Sequence, residues 1–177
     1  MNLDKLGDFA KDVKLNVPTL LSVEGAPGFT QEQIDFVALA LAYSTKDVVT
    51  IHDMTEYAND KLTPELIEAA KAAATIMAMN NVYYRSTHLL EDADIERMPA
   101  RLRMNIILKS GAPKAHFELA SLAISALNGC GKCLKAHKES ILKEGLSKES
   151  IHSAIRIAGV VASLAQANSI QSIVDNI

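Results

Sequence analysis

Aromatic side chains are scarce in this chain. Tryptophan is absent, and Phe, Tyr and Trp together make up 5% of its 177 residues. The apolar fraction of 49% is carried largely by Ala, Leu and Ile instead, which favours closely packed helices over a sheet. A basic surplus is also missing. Lys and Arg number 18 against 21 Asp and Glu, a formal net charge of −3, and no Lys/Arg stripe is interleaved with aromatics. Both facts argue against a general nucleic-acid binder. The first residues, Met1-Asn2-Leu3-Asp4-Lys5-Leu6-Gly7-Asp8-Phe9, carry acids and lack the apolar stretch of a secretory signal. No run reads as long and apolar enough to span a bilayer. The expectation is a cytoplasmic protein with no membrane partner. Cysteine is confined to two residues. One domain of this length buries a core without disulfide staples, so a lone cysteine pair there points to redox or metal chemistry rather than to a crosslinked scaffold.

Those two cysteines fall in one run, Asn128-Gly129-Cys130-Gly131-Lys132-Cys133-Leu134-Lys135-Ala136-His137. Upstream, Glu118 stands alone in the apolar stretch Phe117-Glu118-Leu119-Ala120-Ser121-Leu122-Ala123-Ile124. Together they form a Glu-x11-Cys-x2-Cys-x3-His pattern.

The surrounding chain reads as helices. Leu3, Leu6, Ala10 and Val13 are at helical spacing and predict a helix over 3–14. Pro18 and Gly25-Ala26-Pro27-Gly28 mark a loop. Thr30 with Gln33 is a capping box before a buried helix over 34–44. A more polar helix follows over about 46–59. Thr63-Pro64 opens an Ala-rich helix to about Asn80, with Tyr83 to Leu90 helical as well. Glu91-Asp92-Ala93-Asp94 reads as an acidic break, and Leu102 to Lys109 as a helix. The second half repeats the order: a buried helix over 113–127, a shorter polar one over 131–144 ending at Gly145, and a long one capped by Ser147 and running to about Asn168. An apolar tail covers 170–177.

This recurrence predicts an internal pseudo-repeat, about 30–90 and 113–170, within a single domain over 1–177. A shift of 84 positions pairs Leu62 with Leu146, Thr63 with Ser147, Glu65 with Glu149, Ala70 with Ala154 and Ala74 with Ala158. It sets Lys46 on Cys130, Asp53 on His137 and Ile34 on Glu118, so the first half carries the fold without the chemistry.

Asn128-Gly129 is a turn signal, with Asn128 read as the N-cap and both cysteines in the first helical turn. Spacing i, i+3 places Cys130 and Cys133 on one face within disulfide reach, and His137 lies on the same face one turn beyond Cys133. The helix N-terminus, with Lys132 and Lys135, favours the thiolate. Glu118, in a helix apolar nearly all round, must be paired, hydrogen-bonded or protonated. A histidine between that carboxylate and a thiol completes a relay of orienter, base and nucleophile. Other readings stay open: a zinc site built from Cys130, Cys133, His137 and Glu118, a structural Glu118 paired with Arg103 or Arg85, and a non-catalytic module whose Lys132, Lys135 and Lys138 dock an acidic partner. His116 faces elsewhere on its helix, and His52, His88 and His152 read as surface or satisfied core residues.

At Glu118, Cys130, Cys133 and His137 the pattern resembles the AhpD branch of the carboxymuconolactone decarboxylase-like superfamily. The likeness extends over essentially the whole chain. It implies an all-α, AhpD-like fold of two pseudo-repeated halves with cysteines only in the second, commonly a homotrimer. It implies an antioxidant alkyl hydroperoxide reductase with no bound cofactor. Organic hydroperoxides and a partner peroxiredoxin, AhpC, are the implied substrates, and the electrons come from dihydrolipoamide on the E2 subunit of a 2-oxoacid dehydrogenase. By the family scheme Cys133 attacks the peroxide, Cys130 resolves the sulfenic acid to a disulfide, and Glu118 with His137 relays protons. The family's best-known members carry a histidine where this chain has Lys132. Lysine does not accept a proton near neutral pH unless its environment is strongly perturbed, so Lys132 is read as a fixed charge favouring the thiolate. A decarboxylase-like enzyme with incidental cysteines is the remaining alternative.

Overall fold

A computed structural model describes residues 1–175. Every regular element among them is helical, as the composition implies. The helices are α1 (Lys11–Leu20), α2 (Gln31–Thr45), α3 (Val48–Asn59), α4 (Pro64–Leu89), α5 (Ala93–Arg97), α6 (Lys114–Leu127), α7 (Gly131–Lys143) and α8 (Lys148–Val174). The core lies where α2 and α6 cross. Gln33 through Ala42 of α2 and His116 through Ser125 of α6 are buried without interruption, because helices α4 and α8 close over both. A helix apolar on all sides has nowhere to go but the interior.

Two triplets share order and length. Helices α2, α3 and α4 have 15, 12 and 26 residues, and α6, α7 and α8 have 14, 13 and 27. Thr63 and Ser147 cap the long helices in the same way, each accepting from the backbone N–H three residues on. One contact gives the relation between the triplets. His116 Nε2 lies 3.0 Å from Glu32 Oε1, a pair separated in sequence by 84 positions, the same offset that aligns the halves. The halves therefore meet at a pair of matching positions. Elsewhere they clamp one another. Arg85 of α4 donates to the Asn128 carbonyl ahead of α7, and Ser169 of α8 donates to Asp47 ahead of α3 at 2.7 Å.

Several boundaries differ from the sequence reading. The N-terminal helix begins at Lys11, after 3-10 turns at Leu3–Lys5 and Asp8–Ala10. Gly7 is extended between them, its N–H taken by Gln171 Oε1 at 3.0 Å. Pro18 lies inside α1, exposed near its end, where water can take the carbonyl it leaves unbonded. Helix α4 is one continuous element through Tyr83, since Asn80 and Asn81 do not interrupt its backbone. The acidic stretch holds the short α5, with Asp92 Oδ1 accepting from the N–H groups of Asp94 and Ile95. Only Asn105–Leu108 of the helix expected over 102–109 is regular, as a 3-10 turn with no buried residue, and a short helix without tertiary burial does not hold. Helix α8 runs on to Val174 and takes in most of the apolar tail, whose last two positions lie outside the described residues. Contrary to the sequence reading, α8 is long and apolar enough to cross a membrane by length and composition. Here Ile157, Val161 and Leu164 turn inward to the core.

Leu122→Ala in α6 is expected to cost about 2–5 kcal/mol of stability, because it empties space in a close-packed core. Leu108→Ala, at a position 90% exposed, should stay within about 0.5 kcal/mol. Urea denaturation of the two variants checks the contrast.

Candidate redox site

The turn between α6 and α7 builds the site. Helix α6 ends at Leu127, Gly129 takes φ 66°, a conformation glycine adopts without steric cost, and α7 opens at Gly131. The N-cap is Cys130, not Asn128: its sulfur accepts from the Cys133 N–H at 3.3 Å. Cys130 and Cys133 are joined in a disulfide with Cα atoms 5.3 Å apart. Both are buried, Cys130 at 0% and Cys133 at 5% exposure, so Cys133 is the one nearer solvent. Its Sγ also lies 3.9 Å from the Asn80 carbonyl, a contact that becomes a thiol–carbonyl hydrogen bond once the disulfide opens.

Glu118 comes from the middle of α6 and His137 from the second turn of α7. The structure brings them together: His137 Nδ1 is 2.7 Å from Glu118 Oε2, with both side chains largely buried. With the carboxylate ionised, Nδ1–H donates to it and Nε2 is left as the acceptor. Neither Arg85 nor Arg103 is the partner of Glu118. Arg85 is spent on the Asn128 carbonyl, and Arg103 lines a separate cavity beside α4. The donors of a zinc site are likewise committed, the sulfurs to each other and the carboxylate to the imidazole. Among the described residues, the grouping with metal-like spacing is His52, Asp53 and Glu56 on the outside of α3.

Lys132 projects from between the cysteines to Glu96 of α5, with Nζ to Oε1 at 2.7 Å, and sits 5.8 Å from the Tyr84 ring. The Lys132 ammonium holds the Glu96 carboxyl below its ordinary value, and His88, with Nδ1 3.5 Å from the same oxygen, adds to the effect. A carboxyl lowered in this way keeps its tie to Lys132 above the ordinary carboxylate range and loses it as pH falls through the lowered value. His116, on the same helix as Glu118, turns to Glu32 and away from the sulfurs.

The sequence reading missed the floor of the site. Asn81 Nδ2 donates to Ser125 Oγ at 3.0 Å, and Asn128 Nδ2 donates to Asn81 Oδ1 at 2.9 Å. Ser125 in turn accepts the Cys130 N–H on its carbonyl at 2.9 Å. The signal was present, since Asn80-Asn81 interrupts an Ala-rich helix, and buried carboxamides are kept where they have partners.

An all-helical fold of two triplets, with a buried carboxylate–imidazole pair beside a helix-capping dithiol in the second, defines the class. The profile of the Carboxymuconolactone decarboxylase family matches residues 93–175, the triplet that bears the cysteines. The alkyl hydroperoxide reductase AhpD of Coxiella burnetii (strain Dugway 5J108-111) is 48% identical over 169 residues, 96% of each chain. Its namesake from Rhodopseudomonas palustris (strain BisB18) is 47% identical over 162 residues, 92% of this chain and 88% of that one. The one from Hyphomonas neptunium (strain ATCC 15444) is 45% identical over 159 residues, 90% and 87% of the two chains. The chain belongs to the AhpD family.

Asn81→Ala removes one buried and one part-buried hydrogen bond beneath the cysteines. It should cost about 1–3 kcal/mol of stability and speed alkylation of the reduced thiols, read by denaturation and by iodoacetamide labelling at fixed pH.

Proposed function

We propose that this chain is a dithiol reductase of organic hydroperoxides. The observation that carries the reading is the buried Glu118–His137 pair at 2.7 Å, set one helical turn beyond the Cys130–Cys133 disulfide. A base held in one tautomer by a carboxylate is what a thiol nucleophile needs, and a helix N-terminus favours its thiolate. His137 takes the Cys133 proton, and the sulfur attacks the peroxide. The O–O bond breaks, Cys133 becomes a sulfenic acid, and the departing alkoxide leaves as the alcohol with the proton returned by His137. Cys130 then attacks that sulfur, its proton leaves with the hydroxyl as water, and the disulfide forms. Cys133 is given the attacking role because it is the more exposed of the two sulfurs. Two electrons and two protons from a dithiol restore the cycle.

The names of the relatives in Coxiella burnetii and Rhodopseudomonas palustris, both alkyl hydroperoxide reductase AhpD, support the reaction class. Dihydrolipoamide, carried on a lipoyl-bearing E2 subunit, is the proposed donor. A peroxiredoxin, AhpC, is the proposed partner whose disulfide the same dithiol reduces. A cytoplasmic homotrimer is the proposed assembly.

Lys132 is assigned the role of a fixed charge. Its tie to Glu96 means that part of its field is answered by a carboxylate, so its effect on the thiolate is moderate. Lys132→Ala should shift the pH midpoint of thiol alkylation upward, and an unchanged midpoint removes the role.

Peroxide turnover with reduced lipoamide tests the whole reading. Cys130→Ser and Cys133→Ser should abolish turnover equally, and Glu118→Gln should slow it by about 10²–10⁴-fold, the span of general acid–base catalysis. Retained activity in Cys133→Ser would transfer the chemistry to a decarboxylase-like reaction.

A further inference from the structure

Between α4 and the end of α2, with Asn81 and Asn128 of the redox-site floor at one end, lies a half-open groove of about 690 Å³. That is within the usual size of a small-ligand site. Neither cysteine lines it, nor do Glu118 and His137. One wall is Ala74, Ala78 and Val82, a row at i, i+4 and i+8 along one face of α4. The other walls bring in three cations, Lys46, Lys71 and Arg85, and no lining residue is an acid. In a chain of net charge −3 such a cluster is a local positive field set against the overall sign, and a concave surface focuses it.

Lys46 is the telling member. It ends α2 in the left-handed conformation with φ 62°, a geometry that strains an L-residue with a Cβ and that glycine takes freely. In the turn after α6 the left-handed residue is Gly129, one position before the residue that the 84-position shift sets on Lys46. The first half uses a lysine where glycine would do; Glu91 and Arg101 are left-handed too, but of the three Lys46 alone lines this groove, and such conformations concentrate at functional sites. Among the described residues no carboxylate lies within ion-pairing distance of Lys46, whereas Lys71 reaches Glu68 at 2.6 Å and Arg85 the Asn128 carbonyl. The nearest acid in sequence, Asp47, has its oxygens occupied by Ser169 and the Thr50 N–H. Lys46 also lines the adjoining cavity of about 320 Å³, together with Ser44 and Asn128.

We propose that this groove is a binding site for an organic carboxylate with a short aliphatic tail. Lys46 and Arg85 take the carboxylate by charge-assisted hydrogen bonds, and the tail lies along Ala74, Ala78 and Val82. The site is coupled to the dithiol without touching it. Arg85 holds the Asn128 carbonyl, two residues before Cys130, so an anion that engages Arg85 loosens the turn and exposes the thiols. The binding step is separable from the peroxidase reading, because neither cysteine nor Glu118 nor His137 lines the groove and the titration below reads binding without turnover.

Calorimetric titration of the full chain with octanoate, octanol and inorganic phosphate tests the proposal. Octanoate is expected to bind one per chain. Octanol, with the tail and no charge, and phosphate, with charge and no tail, should each bind about tenfold more weakly or worse, the equivalent of one lost favourable contact. Lys46→Gly should weaken octanoate by at least about tenfold while raising the thermal midpoint by a few degrees, since glycine relieves the left-handed strain. In the reduced wild type, saturating octanoate should accelerate iodoacetamide labelling, and in Lys46→Gly it should not. The proposal is overturned if octanoate does not bind the wild type, if octanol or phosphate binds as tightly, or if Lys46→Gly binds octanoate unchanged. Lys46→Asn, which also tolerates the left-handed turn, must lose binding in the same way, so that any loss is assigned to the cation and not to the backbone.

Discussion

A carboxyl group inside a buried helix has to be answered, and in this molecule the answer is the imidazole of His137. Helix α6 is buried along ten consecutive residues, so Glu118 has no route to bulk water along its own helix. Leaving it unpaired would cost more than most single contacts return. The partner must come from a neighbour at a fixed height, and α7 supplies it. α7 packs closely on α6, with its cysteine end turned inward and both sulfurs buried. The packing itself does not need the pair, because α3 lies on α2 with Ile34 and Asp53 at the matching positions; the pair is what this packing accommodates in the second half alone.

The rest of the fold braces this arrangement from the opposite half. Arg85, Asn81 and the Asn80 carbonyl all belong to α4, yet they hold down the turn ahead of α7. Helix α8 returns the service through Ser169 on Asp47 and Asn168 on Thr50. Each triplet therefore depends on the other for the rigidity of its middle helix. The first triplet reaches a similar packing with no cysteine in it, so the disulfide is not what holds the fold. A bridge across a four-residue loop constrains the unfolded chain little in any case.

Much of this was legible in the letters. Periodicity, caps and the 84-position offset gave the order of helices, because Thr30, Thr63 and Ser147 use local capping chemistry that tertiary contacts do not overrule. Glu118, Cys130, Cys133 and His137 were legible because a lone acid in an apolar run and a Cys-x2-Cys at a turn are unusual on any background. The elements read wrongly were the ones decided at a distance. Gly7 is extended because Gln171, far along the chain, takes its N–H. The 102–109 segment has the letters of a helix but no surface to bury against. The N-cap moved from Asn128 to Cys130 because the Asn128 side chain is drawn to Asn81, a residue of another helix. Glu96 was unreadable for the same reason, since nothing local relates it to Lys132, 36 positions away.

The pair at matching positions of the two halves, Glu32 and His116, carries a consequence for how such a chain can be cut or copied. A dimer of the first half that reproduced this contact would set two glutamates together, and one of the second half two histidines. The first repels whenever both carboxylates are charged, and the second whenever both rings are. With one of each, the contact is complementary at 3.0 Å. The two halves are no longer interchangeable at their own meeting point, and carrying both in a single chain guarantees one of each there.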